Sequence, residues 1–273
     1  MLEQNHHATG FYEISRLSHF VSPCGSTDPS TVSGCIEAPP ASSWALSRSR
    51  RLLDIVISLV LLLLAVLPML ILAALVRLTS KGNAIFSQDR VGLRGRLFKV
   101  YKFRSMAHTA NEKNGPGLTK DGDFRVTPVG RLMRKFKLDE LPQFYNILRG
   151  DMSLVGPRPK LPQYAALRNM PYRPGITGPA TLAFHHEEEL LRHVEVSEMD
   201  SFYARSIKPV KARLDACYMC HATPASDARI VGATVLGCLH LDPAMLRVPA
   251  AVLRARNLSM GDAISSKETT GAD

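Results

Sequence analysis

The chain has 273 residues, 45% of them hydrophobic, and a formal net charge of +10 from 34 basic and 24 acidic residues. This length and apolar content allow one sizeable domain with tails and exclude wholesale disorder. The basic surplus points to an anionic partner: nucleic acid, lipid headgroups or a phosphorylated substrate. The cysteines Cys24, Cys35, Cys217, Cys220 and Cys238 are odd in number and scattered, which argues against a disulfide framework and for a reducing compartment.

Residues 1–47 are rich in Ser, Pro, Gly and Thr, lack periodicity, and read as a flexible N-terminal extension without an apolar signal region. Residues 48–82 are dominated by an apolar run from Leu52 to Val76, broken by Asp54, Ser58 and Pro68. About 20 apolar residues suffice to cross a bilayer as a helix. Pro68 removes a backbone bond and predicts a kink or break. Asp54, one turn inside, has to stay near the headgroups. Arg48, Arg50 and Arg51 precede the run, and Arg77, Lys81, Arg90, Arg94 and Arg96 follow it. Positive flanks prefer the cytoplasmic side, so a re-entrant helix that returns to its own face is favoured over a span. A buried core helix is the bland alternative.

From residue 83 the pattern changes. Ala84–Ser87 and Phe98–Phe103 read as strands around a turn at Val91–Gly95, followed by a polar loop over 107–124. Thr127 and Pro128 fit the N-cap and first position of a helix, with Val129, Leu132, Met133 and Phe136 as an apolar stripe among Arg131, Arg134 and Lys135. That helix suits a membrane interface or the surface of an ordinary core equally well. Leu138 to Gly150 reads as a further short helix, with Asp139 as N-cap, Pro142 in the first turn and Gly150 as the stop. The adjacent carboxylates Asp139 and Glu140 have a simple role there in offsetting the helix dipole.

Their surroundings suggest chemistry. Arg125, Arg131, Arg134, Lys135 and Lys137 lie upstream, and Arg158 is held between Pro157 and Pro159. A carboxylate nucleophile beside phosphate-binding cations suits phosphoryl transfer through an acyl phosphate. The blocks Tyr101-Lys102-Phe103-Arg104-Ser105-Met106, Asp123 to Arg131, Leu138-Asp139-Glu140-Leu141-Pro142-Gln143, Gly150 to Pro159 and Tyr172 to Gly178 occur in this order. In identity and spacing they resemble the monotopic phosphoglycosyl transferases among the bacterial sugar transferases. The resemblance covers about residues 48–240 and leaves out both tails.

The resemblance implies an α+β, mainly helical fold: a cytoplasmic catalytic domain over 83–240 behind a Pro68-kinked membrane helix, with interfacial helices and a C-terminal tail over 241–273. It implies a magnesium-dependent reaction on the cytoplasmic face of a bacterial inner membrane. Asp139 attacks the sugar-bearing phosphate of a UDP-sugar and helps to hold the metal, UMP leaves, and a polyprenyl phosphate takes the phosphosugar. Glu140 assists with a proton or with magnesium, Arg158 holds phosphate, and Lys102, Arg104, Arg125 and Arg131 are further phosphate contacts. Lys211 to Tyr218 resembles the family's Leu-Asp-x-Tyr-Tyr block with Cys217 in place of the first aromatic, which makes Asp215 a site acid or a plain surface carboxylate. Residues 179–186 depart from the family's usual run, which leaves the sugar open. Many relatives carry additional membrane helices, so this chain resembles the minimal catalytic form.

Cys217-Tyr218-Met219-Cys220-His221 matches the haem c pattern, but that attachment needs export. Zinc would need further ligands from His185, His186 or His193, and Glu187-Glu188-Glu189 reads as a solvated helix start. Nucleic acid is not an expected partner, since the charges flank an apolar helix and a carboxylate site. An oligomer is compatible with the sequence. A non-catalytic membrane adaptor of a glycan-assembly complex is the alternative function.

Overall fold

The computed structural model describes residues 36–38, 40–80, 82–107, 123, 125–165, 167–184, 191, 194–195 and 197–239. The expectations for residues 1–35, most of the 107–124 loop, Glu187–Glu189, the histidines His185, His186 and His193, and the 241–273 tail lie outside the described residues.

In chain order the elements are β1 (Ile36–Glu37), α1 (Arg48–Thr79), β2 (Ile85–Val91), β3 (Leu97–Phe103), α2 (Pro128–Lys135), α3 (Gln143–Arg149), β4 (Ser153–Val155), β5 (Leu167–Arg168), β6 (Gly175–Thr177), α4 (Pro179–Ala183), α5 (Met199–Phe202), α6 (Lys208–His221) and α7 (Pro224–Cys238). β2 and β3 form an antiparallel hairpin, while β4 pairs with β6 and β1 with β5 in parallel. Mixed helix and strand with helix in excess agrees with the expected α+β class.

Helix α1 is 32 residues long and is the one described helix long and apolar enough to cross a membrane. Ser47 caps it by accepting the Arg50 N–H. Pro68 leaves the Leu64 carbonyl without its usual partner, yet the helix continues through it to Thr79. The expected break at Pro68 is therefore not an end of the helix, because α-geometry tolerates one missing bond in a long apolar run.

Arg50, Asp54 and Ser58 recur every four residues, so they share one face of α1, and all three are buried. The Ser153 hydroxyl and the Leu154 N–H donate to Asp54 at 2.7 and 3.1 Å. Arg50 donates to the Val155 carbonyl at 2.7 Å and to Asp227 at 2.7 Å. All three residues of β4 are thus fixed by the first turns of α1. Asp54, expected near the headgroups, is buried as a clasp on the domain. The other end of α1 also meets the domain: Val76 is buried with Phe103 and Met133, backed by Met69, Leu72 and Ala73. Between these ends Leu63, Leu64 and Leu67 are 66–73% exposed, so the middle of α1 projects an apolar surface.

The segment before α1 is anchored rather than loose. Trp44 donates its indole N–H to Asp227 at 2.9 Å, and Ser42 donates to the Ala222 carbonyl at 2.8 Å. The flexible extension expected over 1–47 therefore does not reach residue 47. The Thr127 hydroxyl accepts the Gly130 N–H at 2.9 Å, as its capping role predicts. The stripe of α2 is split, however: Met133 is wholly buried, whereas Leu132 and Phe136 are exposed beside Arg131 and Lys135.

Candidate active site

Three connections bring the site together. β3 carries Lys102, a single 3₁₀ turn over Leu138–Glu140 carries the two carboxylates, and the strand β4 leads into Gly156-Pro157-Arg158. Asp139 is not the N-cap that its position suggested. Lys137 adopts a left-handed conformation (φ 56°) and turns the chain, so both carboxylates point inward, and α3 begins only at Gln143. Gly150, with φ 93°, ends α3 as expected.

A buried amide of α3 holds the outer edge of β3. Asn146, fully buried, accepts the Tyr101 N–H at 3.1 Å and donates to the Lys99 carbonyl at 2.7 Å. This amide completes the strand edge and fixes Lys102 relative to the carboxylate turn. Arg158 is fixed from the other side, because α1 and β6 hold β4 between them.

Glu140 is buried and doubly paired. Arg158 donates to it with both terminal nitrogens, Nη1 to Oε2 at 3.2 Å and Nη2 to Oε1. Lys102 Nζ lies 3.4 Å from Oε1. Burial on its own would raise the Glu140 carboxyl, but Arg158 and Lys102 outweigh it and hold the group well below the usual carboxylate range. Asp139 moves the other way. Burial and then the Glu140 charge push it up, against the pull of Lys102, Arg134 and Lys137. Its Oδ1 is buried without a hydrogen-bond partner among the described residues. The two neighbouring acids are therefore unlike: Glu140 is an ionised hub for cations, and Asp139 is a more basic carboxylate with an oxygen to offer.

An open cleft lies beside Arg158 and is lined by Lys160, Tyr203, Lys208, Lys211 and Asp215 among others. Burial lifts Asp215 to about 7, despite the Ala180 N–H that it accepts at 3.2 Å and the nearby Lys160 and Lys211. Arg90 lies near Arg158 and Glu140; burial, and then the Arg158 charge, lower it to about 10.

Of the residues expected at the site, the fold gathers Asp139, Glu140, Lys102, Arg158 and Asp215. The remaining three are engaged or placed elsewhere. The Arg104 guanidinium packs against Gly82 at the exit of α1. Arg125 pairs with Asp123 at 2.6 Å. Arg131 is exposed on α2. Sequence reading missed Arg90, Lys160, Lys208 and Lys211 as site residues. Lys208, Lys211 and Asp215 recur at spacings of three and four on α6, the signature of one helix face, and Lys160 follows Arg158 by two positions. Cys217 and Cys220 are part-buried and outside any disulfide, and no group of three or more His, Cys, Asp or Glu among the described residues is placed to hold a metal.

Residues 45–240 match the family described as bacterial sugar transferase, and the chain belongs to it. It is 47% identical over 119 residues to the UDP-N-acetylgalactosamine-undecaprenyl-phosphate N-acetylgalactosaminephosphotransferase of Aeromonas hydrophila, which covers 40% of this chain and 28% of that protein. It is 43% identical over 151 residues to the UDP-glucose:undecaprenyl-phosphate glucose-1-phosphate transferase of Caulobacter vibrioides, covering 51% and 55% of the two chains. The Escherichia coli (strain K12) protein of the same name is 40% identical over 185 residues, covering 61% and 39%. The similarity therefore spans about a quarter to just over half of the length of these relatives.

Proposed function

We propose that this chain transfers a sugar-1-phosphate from a UDP-sugar to undecaprenyl phosphate at a membrane surface, releasing UMP through an aspartyl-phosphosugar intermediate. The observation that carries the proposal is the buried Oδ1 of Asp139, without a hydrogen-bond partner among the described residues, next to a Glu140 that binds Arg158 and Lys102. The relatives' names support the donor class and the lipid acceptor.

In the first step a carboxylate oxygen of Asp139 attacks the phosphorus that bears the sugar. The bond from that phosphorus to the bridging oxygen breaks, and UMP leaves with the electron pair. In the second step an oxygen of the lipid phosphate attacks the same phosphorus, and the acyl–phosphate bond returns its electrons to Asp139. Glu140 holds Arg158 and Lys102 in place for the phosphate, where fixed cations stabilise the developing charge without reorganising. Burial makes Asp139 more basic and, once ionised, a better nucleophile.

Magnesium, implied by the resemblance, fits this donor set in one manner. Glu140 is engaged by two cations, so Asp139 offers the carboxylate oxygen, and the substrate phosphates supply the rest of a site that magnesium commonly completes with water. Such an ion would neutralise diphosphate charge.

Both ends of α1 pack on one domain although residues 54 and 76 would lie about 33 Å apart along a straight helix, enough to traverse the hydrocarbon core. This favours a re-entrant helix with the domain on the cytoplasmic face of a bacterial inner membrane. The exposed Leu132 and Phe136 of α2 would dip into the same interface. The proposed product would start assembly of a surface glycan such as an exopolysaccharide, capsule, O-antigen or glycoprotein glycan.

The test is Asp139→Asn in the full chain. UMP release from a panel of UDP-sugars with undecaprenyl phosphate and magnesium should vanish, while membrane association stays as in the parent. Normal UMP release by that variant would remove Asp139 as nucleophile, and silence of the parent on every donor would favour the adaptor reading.

A further inference from the structure

Beyond the carboxylates, the cleft beside Arg158 is the feature that the proposed chemistry leaves without a task. Its lining contains four cations, Arg158, Lys160, Lys208 and Lys211, against the single carboxyl of Asp215. The cleft is open to solvent on one side, as entry of a soluble ligand requires. Leu167 and Met170 give it a buried apolar wall. The ring of Tyr203 lies close to two of the lysines: Lys160 Nζ is 5.7 Å and Lys211 Nζ 5.8 Å from its centroid, and Lys160 also donates to its hydroxyl at 3.0 Å. Tyr203 opens a single π-turn, Tyr203–Ile207, where the helix is wound more widely just as it passes the cleft.

Arg158 belongs to both places. Its guanidinium is bound to Glu140, the neighbour of Asp139, and it lines the cleft. A phosphate gripped by Arg158 therefore has the carboxylates to one side and the lysine cleft to another. Displacement at phosphorus runs in line, with the nucleophile opposite the leaving oxygen. With Asp139 as nucleophile, the leaving group moves away from the carboxylates and takes on negative charge.

We propose that the cleft lined by Lys160, Lys208, Lys211 and Tyr203 seats the nucleotide half of the donor, receiving the charge of the departing nucleoside monophosphate on its lysines and the nucleoside on its apolar wall. This rests on the transfer reading above for its choice of ligand. A lipid phosphate shares the phosphate chemistry but not the route. α1 and the exposed residues of α2 form the apolar surface, whereas the cleft is built by α6, the π-turn, the end of β2 at Val91 and the chain from Pro157 to Met170.

The experiment titrates UMP into the full-length protein in lipid nanodiscs by calorimetry, with no donor or acceptor present. The parent is compared with Lys208→Gln, Lys208→Arg and Lys160→Met, each checked for an unchanged thermal midpoint. Lys208→Gln and Lys160→Met should each weaken UMP binding about tenfold, as befits loss of one charge-assisted contact. Lys208→Arg, at a part-exposed position able to accept it, should retain binding. The KM for undecaprenyl phosphate should stay within twofold in all three. Unchanged UMP affinity in the folded Gln and Met variants overturns the assignment, and a selective rise in acceptor KM would give the cleft to the lipid phosphate instead. Because the titration needs no turnover, a protein that binds UMP through these lysines but makes none from any UDP-sugar would sink the transfer reading alone.

Discussion

Removing Arg158 should destabilise the protein mainly through the charge that it leaves behind on Glu140. Arg158 meets Glu140 through both terminal nitrogens, and the Glu140 side chain is only 11% exposed. Breaking a buried ion pair by deleting one partner costs about 3–5 kcal/mol. Lys102 remains 3.4 Å from the same carboxylate, so the lower part of that range, about 3 kcal/mol, is expected for Arg158→Met. For a domain of this size each kcal/mol moves the melting point by roughly 2–4 °C, so the fall should be roughly 6–12 °C. Adding Glu140→Gln removes the stranded charge, and the double variant should regain at least half of the loss. Thermal unfolding in detergent at one scan rate, followed by the fluorescence of the single tryptophan Trp44, measures all four corners of the cycle. A loss under 3 °C in Arg158→Met, or a further fall on adding Glu140→Gln, would refute the account of Glu140 as a charge hub.

Two further outcomes follow from the same fold. Asp215 has its pKa lifted by burial from 3.8 to about 7, so the folded state binds this proton more tightly than the unfolded chain. Its stabilising contribution is complete below about pH 4 and fades as pH rises to 7; Asp215→Asn should thus melt higher than the parent at pH 8, by up to ~4 kcal/mol, with the gap closing toward pH 4. A gap constant across that range would contradict it. For topology, Ser49→Cys and Asn83→Cys, each alone in a cysteine-free background, should react with an impermeant maleimide from the same face of inverted vesicles; reaction from opposite faces would overturn the re-entrant reading.

Local chemistry made much of this chain legible in advance. The cap at Thr127-Pro128, the stop at Gly150, the hairpin around Gly92 and the apolar run of α1 depend on neighbours in the sequence, and each appears where the residues place it. The pairing of acids and cations was also readable, since Asp139, Glu140, Arg158 and Lys102 lie in blocks whose order resembles a known family. Long-range packing decided the rest. Asp54 reads as a headgroup residue because its clasp, Ser153 and Leu154, lies about a hundred positions away. Asp139 reads as a helix cap because the left-handed Lys137 that turns it inward is a conformation rare for a residue with a side chain. Arg104, Arg125 and Arg131 carry the same charge as Arg158 in the sequence, but charge in a sequence has no direction. Only the clamping of β4 between α1 and β6 aims Arg158 at Glu140, and only the face of α6 turned toward it gathers Lys208, Lys211 and Asp215 into one cleft. Spacing along the chain sets which residues share a face; tertiary contact sets what that face meets.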